Sequence, residues 1–146
     1  MHALFAYGTL MFDEILRDVT GLTRSGAPVV LHGYRRRCVQ GEPYPGIVSA
    51  REASVAGLLY RGISSAAWER LDRFEGEMYE RRGVSVELES GARIPAKTYV
   101  VRPPFMDRLG PEDWDPQAFL QDGRHHFQRG YAGYHRLRGT GTEDPR

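Results

Sequence analysis

The stretch ALFAYGTLMFDEILRDV, residues 3–19, decides how the fold begins. Ala3–Tyr7 is a short apolar run that predicts a β-strand, and it leads directly into Gly8-Thr9. After this turn, apolar residues recur at helical spacing, which predicts a helix over Leu10–Asp18. The first unit of the chain is therefore a strand, a glycine turn and a helix.

The next part of the sequence predicts two strands and a central helix. Val29–Val39 and Ser54–Tyr60 have strand character, and the proline-containing segment Glu42–Val48 between them indicates a rigid turn or an edge segment rather than a central strand. Helical spacing then begins after Ser64 and stops at Gly76. Ser64 is the expected N-cap of this helix and Gly76 its terminator.

The remaining elements are a hairpin and a last helix. Val84–Leu88 and Ile94–Val101, joined through residues 89–92, indicate a β-hairpin. Asp115-Pro116 has the form of a helix start, with a capping acid followed by proline. The apolar residues expected to share one face of that helix are Phe119, Leu120, Phe127 and Tyr131.

The order of these elements predicts the fold class. Strands and helices do not alternate strictly, so a doubly wound parallel sheet is disfavoured. We expect an α+β fold, a mixed sheet curved into a partly closed β-barrel with flanking helices. Residues 1–138 should form one domain, and the small polar residues of 139–146 should form a mobile tail.

Composition and charge exclude several classes of protein. The 146 residues include 20 Lys and Arg against 19 Asp and Glu, a formal net charge of +1, which disfavours binding to nucleic acid or an anionic membrane through bulk charge. The single cysteine, Cys38, excludes an intramolecular disulfide and a multi-cysteine zinc site. No apolar run approaches the ~18 residues of a membrane span and no signal-peptide pattern is present, so we expect a cytoplasmic protein.

The first candidate for chemistry is the turn Tyr7-Gly8-Thr9-Leu10. Glycine allows either a close backbone approach or a positive φ, and the helix start that follows presents free N–H groups. Such groups suit a carboxylate or a developing oxyanion. The alternative is an ordinary strand-to-helix turn, which is the more common meaning of such a glycine on its own.

The second candidate is Glu75, at the C-terminal end of the central helix in LDRFEG. A carboxylate there meets the negative end of the helix dipole and poor solvation, and both raise its pKa. A raised pKa suits a proton carrier. The alternative is one surface acid among several, which residue statistics alone favour. These other acids are Glu69, Asp72, Glu77 and Glu80.

The histidines do not predict a metal site. His125 and His126 are adjacent, and adjacent side chains on a helix diverge by about 100°. A solvated basic face is therefore the favoured interpretation of these residues and of His135, and no metal is expected. The sequence also contains no P-loop, GxGxxG, GxSxG or HExxH motif.

Five stretches together resemble the gamma-glutamyl cyclotransferase-like family, and most of all its avirulence-induced-gene-like and gamma-glutamylamine cyclotransferase branch. The resemblance covers roughly residues 3–131. The stretches that carry it are FAYGTL (Phe5–Leu10), GEPYPGIV (Gly41–Val48), VAGLLY (Val55–Tyr60), LDRFEGEMYERR (Leu71–Arg82) and AKTYVV (Ala96–Val101).

The resemblance implies a partly closed β-barrel, no cofactor, and a substrate loop that acts mostly through its backbone. It places the family's catalytic glutamate on Glu75, and the Tyr-x-Arg that follows it on Tyr79 and Arg81. The residues that it assigns to substrate binding are Tyr7, Gly8, Thr9, Leu10, Tyr44, Pro45 and Tyr79.

The implied reaction needs few protein groups. The α-amine of a gamma-glutamyl substrate attacks its own γ-carbonyl, closing 5-oxoproline and releasing an amine. Because the attack is intramolecular, holding the substrate bent can be worth an effective molarity of order 10⁵–10⁸ M. N–H donors for the oxyanion and one carboxyl group for proton transfer complete the requirement, so no nucleophilic serine or cysteine is needed.

Other functions stay open at this point. A related enzyme could transfer or hydrolyse a different acyl amine, and a non-catalytic module could bind a small ligand in the same pocket. A nucleic-acid-binding domain is disfavoured by the near-zero net charge. We expect a small gamma-glutamyl substrate, no nucleic-acid or membrane partner, and a monomer or homodimer.

Overall fold

The computed structural model describes residues 2–138, which form a five-stranded β-barrel with helices packed against it. The strands are β1 (His2–Ala6), β2 (Ala27–Cys38), β3 (Pro45–Ile63), β4 (Tyr79–Leu88) and β5 (Arg93–Val101). The helices are α1 (Asp13–Thr20), α2 (Ser65–Glu75), α3 (Pro116–Ala118), α4 (Arg124–Gly130) and α5 (Ala132–Arg138). Short 3₁₀ helices occupy Thr9–Met11 and Pro103–Arg108, and a π-helical turn, Phe119–Gly123, joins α3 to α4.

The barrel closes in the order β1-β3-β2-β4-β5, with β5 returning to β1. All neighbouring strands are antiparallel except β1 and β5, which pair in parallel through Leu4 and Lys97. The hydroxyl of Thr98 donates to the Phe5 carbonyl at 2.9 Å and strengthens this junction. The predicted mixed α+β barrel is confirmed, and the barrel is closed.

Two apolar clusters follow from the alternation of side chains along the strands. On β1, Leu4 and Ala6 pack in the cluster that contains the buried faces of α1 and α2. Phe5 and the following Tyr7 pack instead with apolar residues from the other four strands, which places them inside the barrel. The short first strand therefore joins both clusters.

The central helix and the hairpin agree with the sequence prediction. The Ser64 hydroxyl accepts a hydrogen bond from the Ala67 N–H at 3.2 Å, and Gly76 ends α2 with a φ of 78°. The hairpin is present, although β4 begins at Tyr79, before the predicted Val84. Its longer first strand brings Tyr79 next to the end of α2.

Two predicted boundaries were wrong. The helix expected from Leu10 begins only at Asp13, because residues 9–11 form a 3₁₀ turn that buries Leu10 without belonging to α1. Residues 45–48, predicted as a turn or edge segment, begin the long strand β3, so the strand predicted from Ser54 starts earlier. Among the described strands they pair with β2 alone, which agrees with the edge-segment alternative. Proline is compatible with the first position of a strand, where its missing N–H leaves no ladder bond unmade.

The C-terminal helical region starts as predicted, since the Asp115 carboxylate accepts from the Gln117 N–H at 2.9 Å. Phe119 and Phe127 are buried, but Leu120 is 38% exposed and does not share their face. The wide π-helical turn changes the helical period here, so simple helical spacing misplaces Leu120. The tail predicted for 139–146 lies outside the described residues.

Candidate active site

A cavity lies at the end of the barrel where β1 finishes and β3 and β4 begin. The inner cavity is narrow, with a volume of about 30 Å³, which is room for about two water molecules. The structure brings every residue predicted for the site to its wall. These residues are Tyr7, Gly8, Thr9, Leu10, Tyr44, Pro45, Glu75 and Tyr79.

Gly8 is needed for a close approach between two segments that are distant in sequence. Its φ is −133°, so the positive φ that the sequence left open is not adopted. A Cβ atom on Gly8 would lie 2.8 Å from Cγ and 3.0 Å from Cδ of Pro45. Glycine therefore lets the start of β3 pack directly on the loop that follows β1.

The loop after β1 lines the cavity and contains unpaired N–H groups. In the 3₁₀ turn, the Met11 N–H donates to the Gly8 carbonyl at 3.0 Å, while the N–H groups of Gly8, Thr9 and Leu10 precede this bond. The first N–H groups of a helical turn have no partner within it. None of these three donors has an acceptor among residues 2–138, so they are available to a ligand.

Both ends of Tyr7 are held in place. The Arg36 guanidinium donates to the Tyr7 carbonyl at 3.0 Å and is itself paired with Asp113 at 3.1 Å. The Tyr7 hydroxyl donates to the Tyr99 carbonyl at 2.7 Å. The loop that presents the N–H groups is therefore fixed from two sides.

Glu75 is the last residue of α2, and its carboxyl group faces the same cavity. Burial raises its pKa to about 8, with Arg136 lowering and Asp72 raising it. Within the described part of the chain, no side chain or backbone group makes a hydrogen bond to this carboxyl group. The interpretation of Glu75 as one of the surface acids is wrong.

Five tyrosines surround Glu75. Burial is the main cause that raises the pKa of each phenol, and the charge of Glu75 adds to it. The phenols therefore stay neutral, and Glu75 is the carboxyl group of the cavity that changes charge near neutral pH. The five residues are Tyr7, Tyr44, Tyr79, Tyr99 and Tyr131.

Arg81, which the sequence comparison coupled to Tyr79, lies outside the inner cavity. Tyr79 lines the cavity and its hydroxyl donates to the Pro45 carbonyl at 2.8 Å. Arg81 instead lies 3.6 Å from the carboxylate of Asp72 and over the ring of Trp68, 4.9 Å from its centroid. Asp72 also accepts a hydrogen bond from the Tyr99 hydroxyl at 2.7 Å. Arg81 is therefore linked to Tyr99 of the cavity wall only through Asp72.

Sequence reasoning missed several aromatic residues of the cavity wall. Tyr99, Phe127 and Tyr131 line it together with Phe74. The shared helix face predicted for Phe127 and Tyr131 was a signal that both would be buried, but helical spacing does not tell which partner they pack against. The rings of Phe127 and Tyr131 stack at 4.7 Å between centroids.

The inner cavity adjoins an outer one of about 470 Å³, and Glu75 lines both. His126, predicted on a solvated helix face, is exposed but lines this outer cavity, as do Arg108 and Arg136. Among residues 2–138, no three His, Cys, Asp or Glu side chains lie close enough together to hold a metal ion. That the protein works without a metal stays a prediction.

The closed barrel, the cavity at its end and the carboxyl group inside define a protein built around a candidate small-molecule site. A family model described as gamma-glutamyl cyclotransferase, AIG2-like, matches residues 4–116. The chain belongs to this family. No helix within residues 2–138 is long and apolar enough to cross a membrane.

Curated relatives and solved structures agree with this assignment. Protein AIG2 C of Arabidopsis thaliana is 35% identical over 100 residues, a match that covers 68% of this chain and 61% of that protein. AIG2-like protein D of the same plant is 35% identical over 102 residues, covering 68% of this chain and 67% of its own. A solution structure from Arabidopsis thaliana has a TM-score of 0.66 at 29% identity, over 88% of this chain and 78% of that one. A solved gamma-glutamyl cyclotransferase has a TM-score of 0.62 over 99% of this chain and 90% of its own, and at 15% identity this likeness concerns the fold alone.

Proposed function

We propose that this protein is a gamma-glutamyl cyclotransferase, which converts a gamma-glutamyl amine into 5-oxoproline and a free amine. One observation carries the proposal: Glu75, with a pKa of about 8, faces the same narrow cavity as the unpaired N–H groups of Gly8, Thr9 and Leu10. Family membership supports it, because the description of the family model includes gamma-glutamyl cyclotransferase.

The reaction joins the substrate's α-nitrogen to its γ-carbonyl carbon and breaks the bond from that carbon to the leaving nitrogen. The α-ammonium carries three protons, of which one stays on the lactam and two go to the leaving nitrogen, so the amine departs as its ammonium ion. A single carboxyl group can carry these protons one at a time. Glu75 fits this role because its raised pKa of about 8 lies near that of an amine.

The two cavities suit different parts of such a substrate. The inner cavity accepts a small polar group, and the N–H groups along its wall suit the oxyanion that develops on the γ-carbonyl. Most of the substrate, including the leaving amine, then occupies the outer cavity of about 470 Å³. Glu75 lines both cavities and therefore stands between the reacting carbonyl and the leaving group.

A protein that only binds an anionic ligand gains nothing from an ionisable carboxyl group in its cavity, because the ionised form of that group would repel the ligand. Glu75 therefore supports an enzyme over a binding module.

The test is incubation of the purified protein with gamma-glutamyl amines and gamma-glutamyl amino acids that differ in the leaving group. We expect 5-oxoproline from at least one of them, in equal amount to the released amine. Free glutamate in place of 5-oxoproline would indicate a hydrolase instead.

The activity should rise with pH up to about 8. Glu75 must be ionised to accept a proton, and burial raises its pKa from the ordinary value of 4.5 to about 8. Below pH 8, kcat/KM should therefore fall about tenfold for each pH unit, since kcat/KM reports the ionisation of the free enzyme. The measurement is kcat/KM between pH 5.5 and 9.5 for a substrate found in the panel. A profile that is flat between pH 6 and 8 would contradict Glu75 as the proton acceptor.

A further inference from the structure

The C-terminal end of α2, which carries Glu75, is held by residues that lie beyond the family match at 4–116. The last carbonyl groups of an α-helix have no partner within the helix. Here Arg136 of α5 donates through Nε to the Arg73 carbonyl at 2.6 Å and through Nη2 to the Phe74 carbonyl at 2.9 Å. The Tyr131 hydroxyl lies 2.9 Å from the Phe74 carbonyl and 3.2 Å from that of Glu75.

Two glycines allow this contact. Gly76 has a φ of 78°, and a Cβ atom there would lie 2.6 Å from Nη2 of Arg136. A Cβ atom on Gly133 would overlap the Phe74 carbonyl oxygen. The guanidinium group and the start of α5 therefore pack directly on the backbone that surrounds Glu75.

Arg136 is also the cation that acts on the Glu75 carboxyl group. Its charge lowers the pKa of Glu75, against the stronger effect of burial, while Asp72 of the same helix raises it. The phenols facing Glu75 from the other elements are neutral. They come from the end of β1 (Tyr7), the segment before β3 (Tyr44), β4 (Tyr79), β5 (Tyr99) and the link between α4 and α5 (Tyr131).

We propose that Arg136 is a positioning residue for Glu75: its guanidinium group clamps the last carbonyls of α2 and so fixes the carboxyl group in the cavity. This inference rests on the proposed role of Glu75 in proton transfer. Arg136 acts through the backbone and through its charge, and α5 is thereby part of the active site although it lies after the family match.

The test compares two substitutions of the same residue. Arg136→Gln removes the charge, whereas Arg136→Lys keeps it with fewer hydrogen bonds. In Arg136→Gln, the pH at which kcat/KM levels off should rise by about one unit, because the opposite charge near Glu75 is lost. In Arg136→Lys this pH should stay near that of the parent, even if kcat falls. Arg129→Gln on α4 is the matched control, since Arg129 is exposed and makes no hydrogen bond or ion pair with α2 among the described residues.

A second measurement does not depend on turnover. Because the pKa of Glu75 is higher in the folded than in the unfolded protein, the folded state binds the additional proton, and the free energy of unfolding falls as pH rises from about 4.5 to about 8. In Arg136→Gln this fall should continue to a higher pH. In the double variant Arg136→Gln/Glu75→Gln the extension should vanish, because the titrating group is gone.

The outcomes separate the two proposals. If no substrate is turned over but the unfolding profiles differ as described, the proposed reaction fails and Arg136 still positions Glu75. If the parent is active and Arg136→Gln changes neither the pH profile of kcat/KM nor that of unfolding, the role of Arg136 is overturned. A uniform loss of activity at every pH, without a shift, would also overturn it, because that result indicates a merely structural contact.

Discussion

Glu75→Gln is expected to lower turnover by about 10²–10⁴-fold, the usual contribution of a positioned general acid–base. Glutamine has nearly the same shape as glutamate, so the cavity wall and the end of α2 should keep their structure. Only the group that titrates is removed. The measurement is the rate of 5-oxoproline formation at pH 8, where about half of Glu75 is ionised in the parent.

The fold of this variant can be checked at the same time. An uncharged amide should be less costly in this desolvated position than a carboxylate, so Glu75→Gln should be more stable than the parent at pH 8 or above. Each unit by which the pKa is raised corresponds to about 1.4 kcal/mol. Glu69→Gln, at an exposed position on the same helix, is the matched control and should change neither rate nor stability. Turnover at the parent rate in Glu75→Gln would exclude Glu75 as the proton carrier.

Gly8→Val is expected to lower kcat/KM by about 10²-fold or more, the loss that a displacement near 1 Å can cause. The new Cβ would lie 2.8 Å from Cγ of Pro45, so the loop and the start of β3 must separate. Pro45 also supplies the carbonyl that accepts from the Tyr79 hydroxyl, and a shift of Pro45 would therefore move a second wall of the cavity.

The effect on binding should exceed the effect on stability, because the clash lies at the cavity wall. The measurements are KM, kcat and the free energy of unfolding. Gly83→Val is the matched control: Gly83 lies on β4, and the closest atom to its Cβ position would be the Lys97 Nζ at 3.7 Å. Unchanged KM and kcat in Gly8→Val would place substrate binding outside this cavity.

Local patterns in the sequence predicted the fold class, whereas most of the residues that meet at the cavity were predicted only through the resemblance to a known family. The cap at Ser64, the stop at Gly76 and the hairpin turn each depend on a few neighbouring residues. The function of Gly8 is different, since it depends on contact with Pro45. Local sequence leaves open whether a glycine is needed for its φ or for the space beside it.

The contribution of α5 could not be predicted for the same reason. The helical pattern indicated that Tyr131 would be buried, but it gave no sign that its hydroxyl and Arg136 meet the end of α2. The residues alone also left open the choice between Glu75 and the other acids of that region, which only the family resemblance made, because burial of Glu75 depends on which elements cover the helix end. Such contacts join residues from opposite ends of the domain and leave no periodic trace in either segment.

The closure of the barrel also sets the order in which the protein can assemble. β1 is synthesised before the other described strands, but its partners are β3 and β5, and Leu4 pairs with Lys97 only after almost the whole barrel has been made. The Tyr7 hydroxyl likewise needs the Tyr99 carbonyl. Pairings between such distant segments are slow to form. The apolar strand ALFAY therefore emerges from the ribosome long before it can be covered, and the cavity, although it begins at residue 5, is among the last parts of the molecule to form.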